Sequence, residues 1–264
     1  MLRKPAKVYS RSLLLLTADG IEHIHVVVDK CISTLQPCDI TIHDFDDMLP
    51  NEPVISGRKF RVSEYSERLL NIATYVTDLR EDTDKLWGKF DSKRRNAMRR
   101  VERDGYIFGY ATTSGIELDQ FYSLYTPIAE RNKLVIPERT MINKMIEDGN
   151  AIVTFCRDKE GKAMVSNILY LAGRCGYYMN GATDDAAGSG VGRFTHWNNI
   201  MLLKGMGYHW YDLGGVKNPS VMDGIHTFKK SIGGTFCGLG KEYRYETKSF
   251  SLMRIASRKV RQAG

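Results

Sequence analysis

Apolar positions along the chain fall into short segments, and each segment's period predicts an element. Residues 12–17 and 21–28 are apolar, β-branched runs on either side of Asp19-Gly20, so the span 12–28 reads as a β-hairpin. In the second run Ile24, Val26 and Val28 alternate with His23 and His25. A short helix and a strand at 39–43 are expected next, then an acidic loop of Asp44, Asp46 and Asp47 punctuated by Pro50 and Pro53. Residues 74–79 read as a strand. From 82 to 104 the pattern turns helical, with Leu86, Phe90, Ala97 and Val101 on one face, Lys93 and Arg94 interrupting it, and Gly105 as the stop. A strand at 106–112 precedes a helical region at 117–148, broken near 133–137, with Pro137 in the first turn of the second half. Residues 151–157, 163–171 and 175–181 form an antiparallel meander. A helix at 194–207, a strand at 209–213, a short helix at 222–230, a strand at 234–245 and a basic tail complete the pass.

This order from Tyr106 onward is α/β: a mixed sheet with helices on both faces. The expected division is a smaller N-terminal lobe at 1–80 and a main domain at 81–264, which includes the basic helix and the basic tail. The chain has 264 residues, 42% hydrophobic and 26% charged, which suits a packed globular protein and excludes disorder. No apolar run approaches the length of a membrane helix, and no signal-like segment opens the chain. Five cysteines without a CxxC pair indicate neither zinc nor a disulfide framework. His23, His25 and His43 lack partners at ligand spacing, so no metal site is expected. A reduced, cytoplasmic protein is the simplest expectation.

Charge changes the picture. The net charge is +7, yet residues 85–105 and 241–264 each carry a surplus of five positive charges. The rest of the chain is therefore slightly acidic. Such local basicity fits a phosphate-rich partner or a solvated helix face and tail.

The most informative stretch is Tyr211-Asp212-Leu213-Gly214-Gly215, followed by Phe228-Lys229-Lys230-Ser231-Ile232-Gly233-Gly234. Tyr178-Met179-Asn180-Gly181-Ala182 lies upstream, with His196-Trp197 on the helix between. Glycine pairs let backbone approach a substrate closely, and a fixed ammonium suits the oxyanion of an acyl transfer. These segments resemble the Fem-type (FemABX) aminoacyltransferases of the acetyltransferase-like (GNAT-like) superfamily, over about residues 70–250.

The resemblance implies a GNAT-like acyltransferase fold with a reduced N-terminal lobe. It implies transfer of an aminoacyl group from aminoacyl-tRNA to an amine, with no cofactor beyond that co-substrate. Phe228 and Lys229 fall at the family's reaction centre, with Lys230 adjacent. Arg139 matches an arginine that holds substrate phosphate. Tyr178, Tyr211 and Asp212 are candidate substrate contacts, and Lys93, Arg94, Arg95 and Arg99 candidate tRNA contacts. Where peptidoglycan-type members carry an aromatic beyond the arginine, this chain has Ile142 and Asn143. A peptide, a peptidoglycan-precursor-like molecule or a small metabolite amine is the expected acceptor.

Two other readings remain open. Asp185-Ala186-Ala187-Gly188-Ser189-Gly190 has the glycine spacing of an acyl-CoA pyrophosphate loop, with Asp185 where Gln or Arg is usual. A basic RNA-binding module without catalysis is the non-enzymatic alternative.

Overall fold

The computed structural model describes residues 11–16, 23–35, 39–44, 49–64, 71–216 and 224–247. The Asp19-Gly20 turn, Asp46, Asp47, Cys38 and the basic tail from 248 lie outside these residues. The chain divides into two compact units, residues 1–73 with 238–264, and residues 74–237. This differs from the expected 1–80 and 81–264: the strand at 74–78 belongs to the second unit, and the C-terminal segment to the first.

In chain order the first unit supplies β1 (Arg11–Leu16), α1 (Ile24–Leu35), β2 (Asp39–Asp44), β3 (Val54–Ile55), β4 (Arg58–Lys59) and β5 (Arg61–Val62). The second contains β6 (Ala73–Asp78) from Thr74 on, then α2 (Thr83–Gly88), α3 (Ser92–Arg103), β7 (Ile107–Ala111), α4 (Ile116–Asn132) and α5 (Arg139–Glu147). It continues with β8 (Ala151–Arg157), β9 (Ala163–Ala172), β10 (Cys175–Thr183), α6 (Val191–Gly205), β11 (Trp210–Val216), α7 (Gly224–Lys230) and β12 (Thr235–Gly238). Finally β13 (Lys241–Glu246) returns to the first unit.

The expected hairpin at 12–28 is instead the start of a β–α–β crossover. Residues 24–35 are helical, and β1 pairs parallel with β2. Parallel neighbours need such a crossover, which a two-residue turn cannot supply. The alternation of Ile24, Val26 and Val28 misleads because Val26 is 68% exposed, while Ile24 and Val28, one helical turn apart, are buried. They pack with Ile40, Ile42, Phe60 and Tyr243 in this unit's core. His25 is no ligand candidate here: its Nδ1 accepts the Ser56 amide at 3.0 Å. The expected strand 234–245 splits into β12 and β13, which join different sheets; the first unit's sheet runs β1-β2-β13-β5.

The second unit's sheet runs β12-β6-β11-β10-β9-β8-β7. β7 to β10 are antiparallel neighbours, as the meander predicts, and β11 joins parallel to β10 after α6. Apolar residues of β8 alternate between faces. Ala151 and Val153 meet α4 and α5 through Phe121, Tyr125 and Ile146, while Cys156 meets Val101 of α3 and Val191 of α6. Burial holds the Cys156 thiol up at about 12, so it is an inert core residue.

The single helix expected over 82–104 is two. The Asp91 side chain accepts the Arg94 amide at 2.8 Å and starts α3 afresh. Pro137 lies before α5 rather than in its first turn; its carbonyl accepts the Tyr122 hydroxyl at 3.0 Å.

Candidate active site

β10 and β11 pair at only three positions, the last being Tyr177 with Asp212. Beyond it the register of β10 shifts between Tyr178 and Asn180, a bulge that turns the strand. Two parallel strands that stop pairing expose backbone groups between them, at the end where ligands bind in parallel α/β sheets. The cluster built here comes from β10, β11, α6 and α7.

Lys229 is on α7, only 9% exposed, and its Nζ donates to the Gly215 carbonyl at 2.8 Å. An ammonium this buried needs such partners. Gly214 makes the approach possible. Its φ is +77°, and a Cβ there would lie 2.9 Å from the Tyr178 carbonyl and 3.3 Å from Lys229 Nζ. Any side chain would fill the space where the ammonium meets the backbone.

Phe228 faces α6 on the other side. Its ring lies 5.5 Å from the His196 ring and 5.3 Å from the Arg193 guanidinium. Arg193 Nε donates to Ser231 Oγ at 2.9 Å, which ties α6 to the end of α7. Lys230, one position on, is exposed, because successive residues of a helix point about 100° apart.

His196 belongs to the quoted motif segments, which by themselves assign it no role. It is buried, stands edge-on to Tyr178 at 4.7 Å between ring centroids, and places Nδ1 2.8 Å from the Tyr211 hydroxyl. Asn199 Nδ2 donates to the same hydroxyl at 3.2 Å. Burial, then the nearby Lys229 and Arg193 charges, hold the imidazole down at about 3, so it is neutral. Burial pushes Tyr178 up to about 12 and Tyr211 well above its ordinary value, so both remain phenols. The signal in the sequence was Arg193, His196 and Asn199 at three-residue spacing, a polar stripe along the helix.

Tyr211, expected to line the cleft, is fully buried instead; its hydroxyl positions His196. Asp212 is turn chemistry: one oxygen accepts the Gly214 amide at 2.7 Å and the Thr74 hydroxyl. Tyr178 is half-buried beside the opening. A second aromatic group lies nearby on β6 and α7, where the Tyr75 hydroxyl and His226 Nε2 are 2.7 Å apart.

Arg139 is brought elsewhere. It opens α5, is ion-paired to Asp119 and lies over the Tyr122 ring at 5.3 Å. The basic helix α3 is mixed. Lys93 is exposed; Arg94 is paired with its own N-cap Asp91; and Arg95 donates to the Phe90 carbonyl, closing the α2–α3 turn. Arg99 is exposed, 3.2 Å from Asn96 Oδ1 and 5.8 Å from the Trp87 ring centre.

The loop with pyrophosphate-like spacing is closed on itself. Asp184 accepts the Ala186 amide at 2.8 Å on its side chain and the Ala187 amide at 2.9 Å on its carbonyl, and Val191 N donates to Gly188 O at 3.2 Å. Gly190, at φ +103°, abuts α3: a Cβ there would lie 3.1 Å from Ala97 Cβ and 3.3 Å from its backbone. Lys162 pairs with Asp184 at 2.8 Å and Arg131 with Asp185 at 3.7 Å. Among the described residues no group of His, Cys, Asp and Glu is arranged to hold a metal, and no helix is long and apolar enough to cross a membrane.

The family model described as acetyltransferase (GNAT) domain matches residues 88–230. A curated relative, UDP-N-acetylmuramoylpentapeptide-lysine N(6)-alanyltransferase of Weissella viridescens, is 27% identical over 142 residues. That match takes in 53% of this chain and 42% of the relative, so the chain spans less than half the length of that enzyme. Among solved structures, FemX superposes with a TM-score of 0.73 and 15% identity over 96% of this chain and 84% of that one. The C-terminal domain of a lysylphosphatidylglycerol synthetase from Agrobacterium fabrum follows with a TM-score of 0.62 and 14% identity, over 96% and 83%. The expected likeness to Fem-type proteins and the GNAT-like fold are borne out.

Proposed function

Because the chain belongs to the acetyltransferase (GNAT) domain family, we propose that it is an aminoacyltransferase that moves an aminoacyl group from aminoacyl-tRNA to an amine. The observation that carries the reading is the buried Lys229 ammonium against the Gly215 carbonyl, beside the point where β10 and β11 stop pairing. Attack of an amine on the ester carbonyl forms a C–N bond and places negative charge on the carbonyl oxygen. Collapse breaks the C–O bond, and the amine's proton ends on the departing ribose hydroxyl. Lys229 is placed to stabilise the oxyanion, which exists only along the reaction path, so its effect falls on turnover. Phe228 and Tyr178 wall the site and limit water, which would hydrolyse the ester. His196, neutral and held by Tyr211, adds no second positive charge beside Lys229.

The loop before α6 supports the choice of donor. An acyl-CoA needs its pyrophosphate on free amides at that helix N-terminus. Here two loop amides and the first amide of α6 are engaged within the segment, Asp184 and Asp185 are ion-paired to Lys162 and Arg131, and α3 packs against Gly190. These features favour an RNA-borne acyl group. The curated relative acts on a lysine N6 amine of a UDP-linked muramoyl pentapeptide, as its name states. For this chain the acceptor class is an amine of a peptide, a peptidoglycan-precursor-like molecule or a small metabolite. Arg139, paired with Asp119, would have to exchange that partner to hold an acceptor phosphate.

A donor competition tests the proposal. The protein is incubated with labelled aminoacyl-tRNAs, and separately with acyl-CoAs, each with a mixed amine extract. Acceptor-dependent loss of label from tRNA is expected. Consumption of the CoA thioester alone would overturn the assignment.

A further inference from the structure

Away from Lys229, α2, α3 and α6 enclose a cleft that the acyl-transfer reading leaves unused. Its volume is about 340 Å³, at the lower end of the range for small-ligand sites, room for one nucleoside. Trp87 and Trp197 form its floor, with ring centroids 4.8 Å apart, both half-buried and seated on the fully buried Phe90 at 5.9 Å from each. Phe194 adds a third partly exposed ring, and Glu102 and Asn198 bring polar atoms to the rim. Arg99 stands over the opening, 5.8 Å from the Trp87 ring centre.

A second, larger depression of about 650 Å³ shares Arg99 and Glu102 with this cleft and adds Arg100 and Arg103. All three guanidinium-bearing residues are exposed. Two half-buried tryptophans in one cleft make an apolar patch, and a rim of arginines selects an anion. The Trp87 and Trp197 rings are tilted by 55° to each other, so each offers its own stacking plane, and together with a polar edge and adjacent cations they match a nucleotide. The base stacks, its exocyclic groups meet Glu102 and Asn198, and its phosphates meet the arginines.

We propose that the Trp87–Trp197 cleft binds an unpaired nucleobase of the donor RNA, with the flanking phosphates on Arg99, Arg100 and Arg103. This rests on the aminoacyl-tRNA reading for the identity of the RNA, though not for the chemistry of the cleft. Recognition of an unpaired base by stacking is sequence-tolerant, so one enzyme accommodates any tRNA that presents an unpaired nucleotide at this distance. It also gives α3 a second role: besides closing off the α6 N-terminus, it carries the arginines.

The test uses the full chain and its own fluorescence. Three tryptophans are present, so a Trp210→Phe background leaves the signal on the cleft pair. An RNA hairpin with a short unpaired 3′ tail is titrated against the same hairpin with an abasic tail, and against an acidic peptide. Quenching by the intact tail alone is expected, with affinity falling about tenfold in Trp197→Ala and largely restored in Trp197→Phe. Equal binding of both tails without quenching would overturn the proposal, as would equal quenching by the acidic peptide. The two readings fail separately. Tail-dependent quenching without acyl transfer from any tRNA leaves the base site standing and removes the transferase. Transfer with an unaltered KM for tRNA in a folded Trp197→Ala protein does the reverse.

Discussion

Replacing Lys229 by Met removes the ammonium and keeps an unbranched stem of similar length. In the native protein Nζ donates to the Gly215 carbonyl at 2.8 Å, in a position only 9% exposed. Two effects of opposite sign act on stability. The carbonyl loses its donor, at about 1–3 kcal/mol if the position stays dry. The chain no longer buries a charge, which returns a comparable amount. The thermal midpoint therefore shifts by only a few degrees, about 2–4 °C per kcal/mol for a chain of this size. Turnover behaves differently, because nothing else compensates for a lost oxyanion donor. The expected fall in kcat is about 10²–10³, or roughly 3–4 kcal/mol, with KM for the donor little changed. The assay is single-turnover transfer of a labelled aminoacyl group under saturating donor, with circular dichroism confirming the fold. A folded Lys229→Met protein with kcat within about threefold of wild type would refute the role assigned to this ammonium.

The buried neutral His196 gives a pH signature. Its folded value near 3 lies below the unfolded value of 6.5, so stability is complete above about 6.5 and is lost as pH falls toward 3. Urea midpoints between pH 7 and 4 should fall less steeply in His196→Gln, and identical slopes would remove His196 from that window. Asp78, held down to about 2 by Arg80, contributes fully above its ordinary value of 3.8 and loses that contribution only as pH falls from there toward 2, so the two are separable. Gly214→Ala places a Cβ 2.9 Å from the Tyr178 carbonyl at φ +77°, and should lower stability by about 1–3 kcal/mol and activity further. A Gly214→Ala protein with native Tm and rate would show that the strands do not meet as described. Lys93→Glu with Arg99→Glu should weaken RNA binding and flatten its dependence on salt, since neither residue has a carboxylate partner to lose among those described here. Arg95→Glu is a poorer probe, because it also opens the α2–α3 turn at Phe90. Unchanged salt slopes in the double variant would move the RNA contact off α3.

Much of the second unit was legible, for reasons visible in its residues. The strand at 151–157 and the two that follow carry long apolar runs bounded by Asp158–Gly161 and Gly173, and local turn chemistry sets such a meander. The first unit was not. Ile24, Val26 and Val28 satisfy a period of two as well as they satisfy part of a helix, and only packing of Ile24 and Val28 beneath Ile40 and Ile42 decides between them. The same limit applies to the site. Phe228, Lys229 and the glycine pairs stood out by type and spacing, but whether Lys229 or Lys230 turns inward depends on which face of α7 meets β11. His196 reads as one more helical histidine until Tyr178, Tyr211 and Phe228 are seen around it.

From its residues alone the chain determined a mixed α/β domain, a local excess of positive charge on one helix, and the residue types of the proposed acyl-transfer site. These depend on short-range periodicity and composition, which survive without knowledge of distant contacts. Only tertiary structure decided that residues 238–247 fold with the N-terminal unit, that Tyr211 is buried against His196 while Asp212 holds Gly214 and Thr74, and that α3 abuts the α6 N-terminus. Those outcomes depend on partners outside the local segment, from 15 residues away for Tyr211 and His196 to 138 for Asp212 and Thr74. Burial and hydrogen bonding there are properties of the packed whole and leave no period in the sequence.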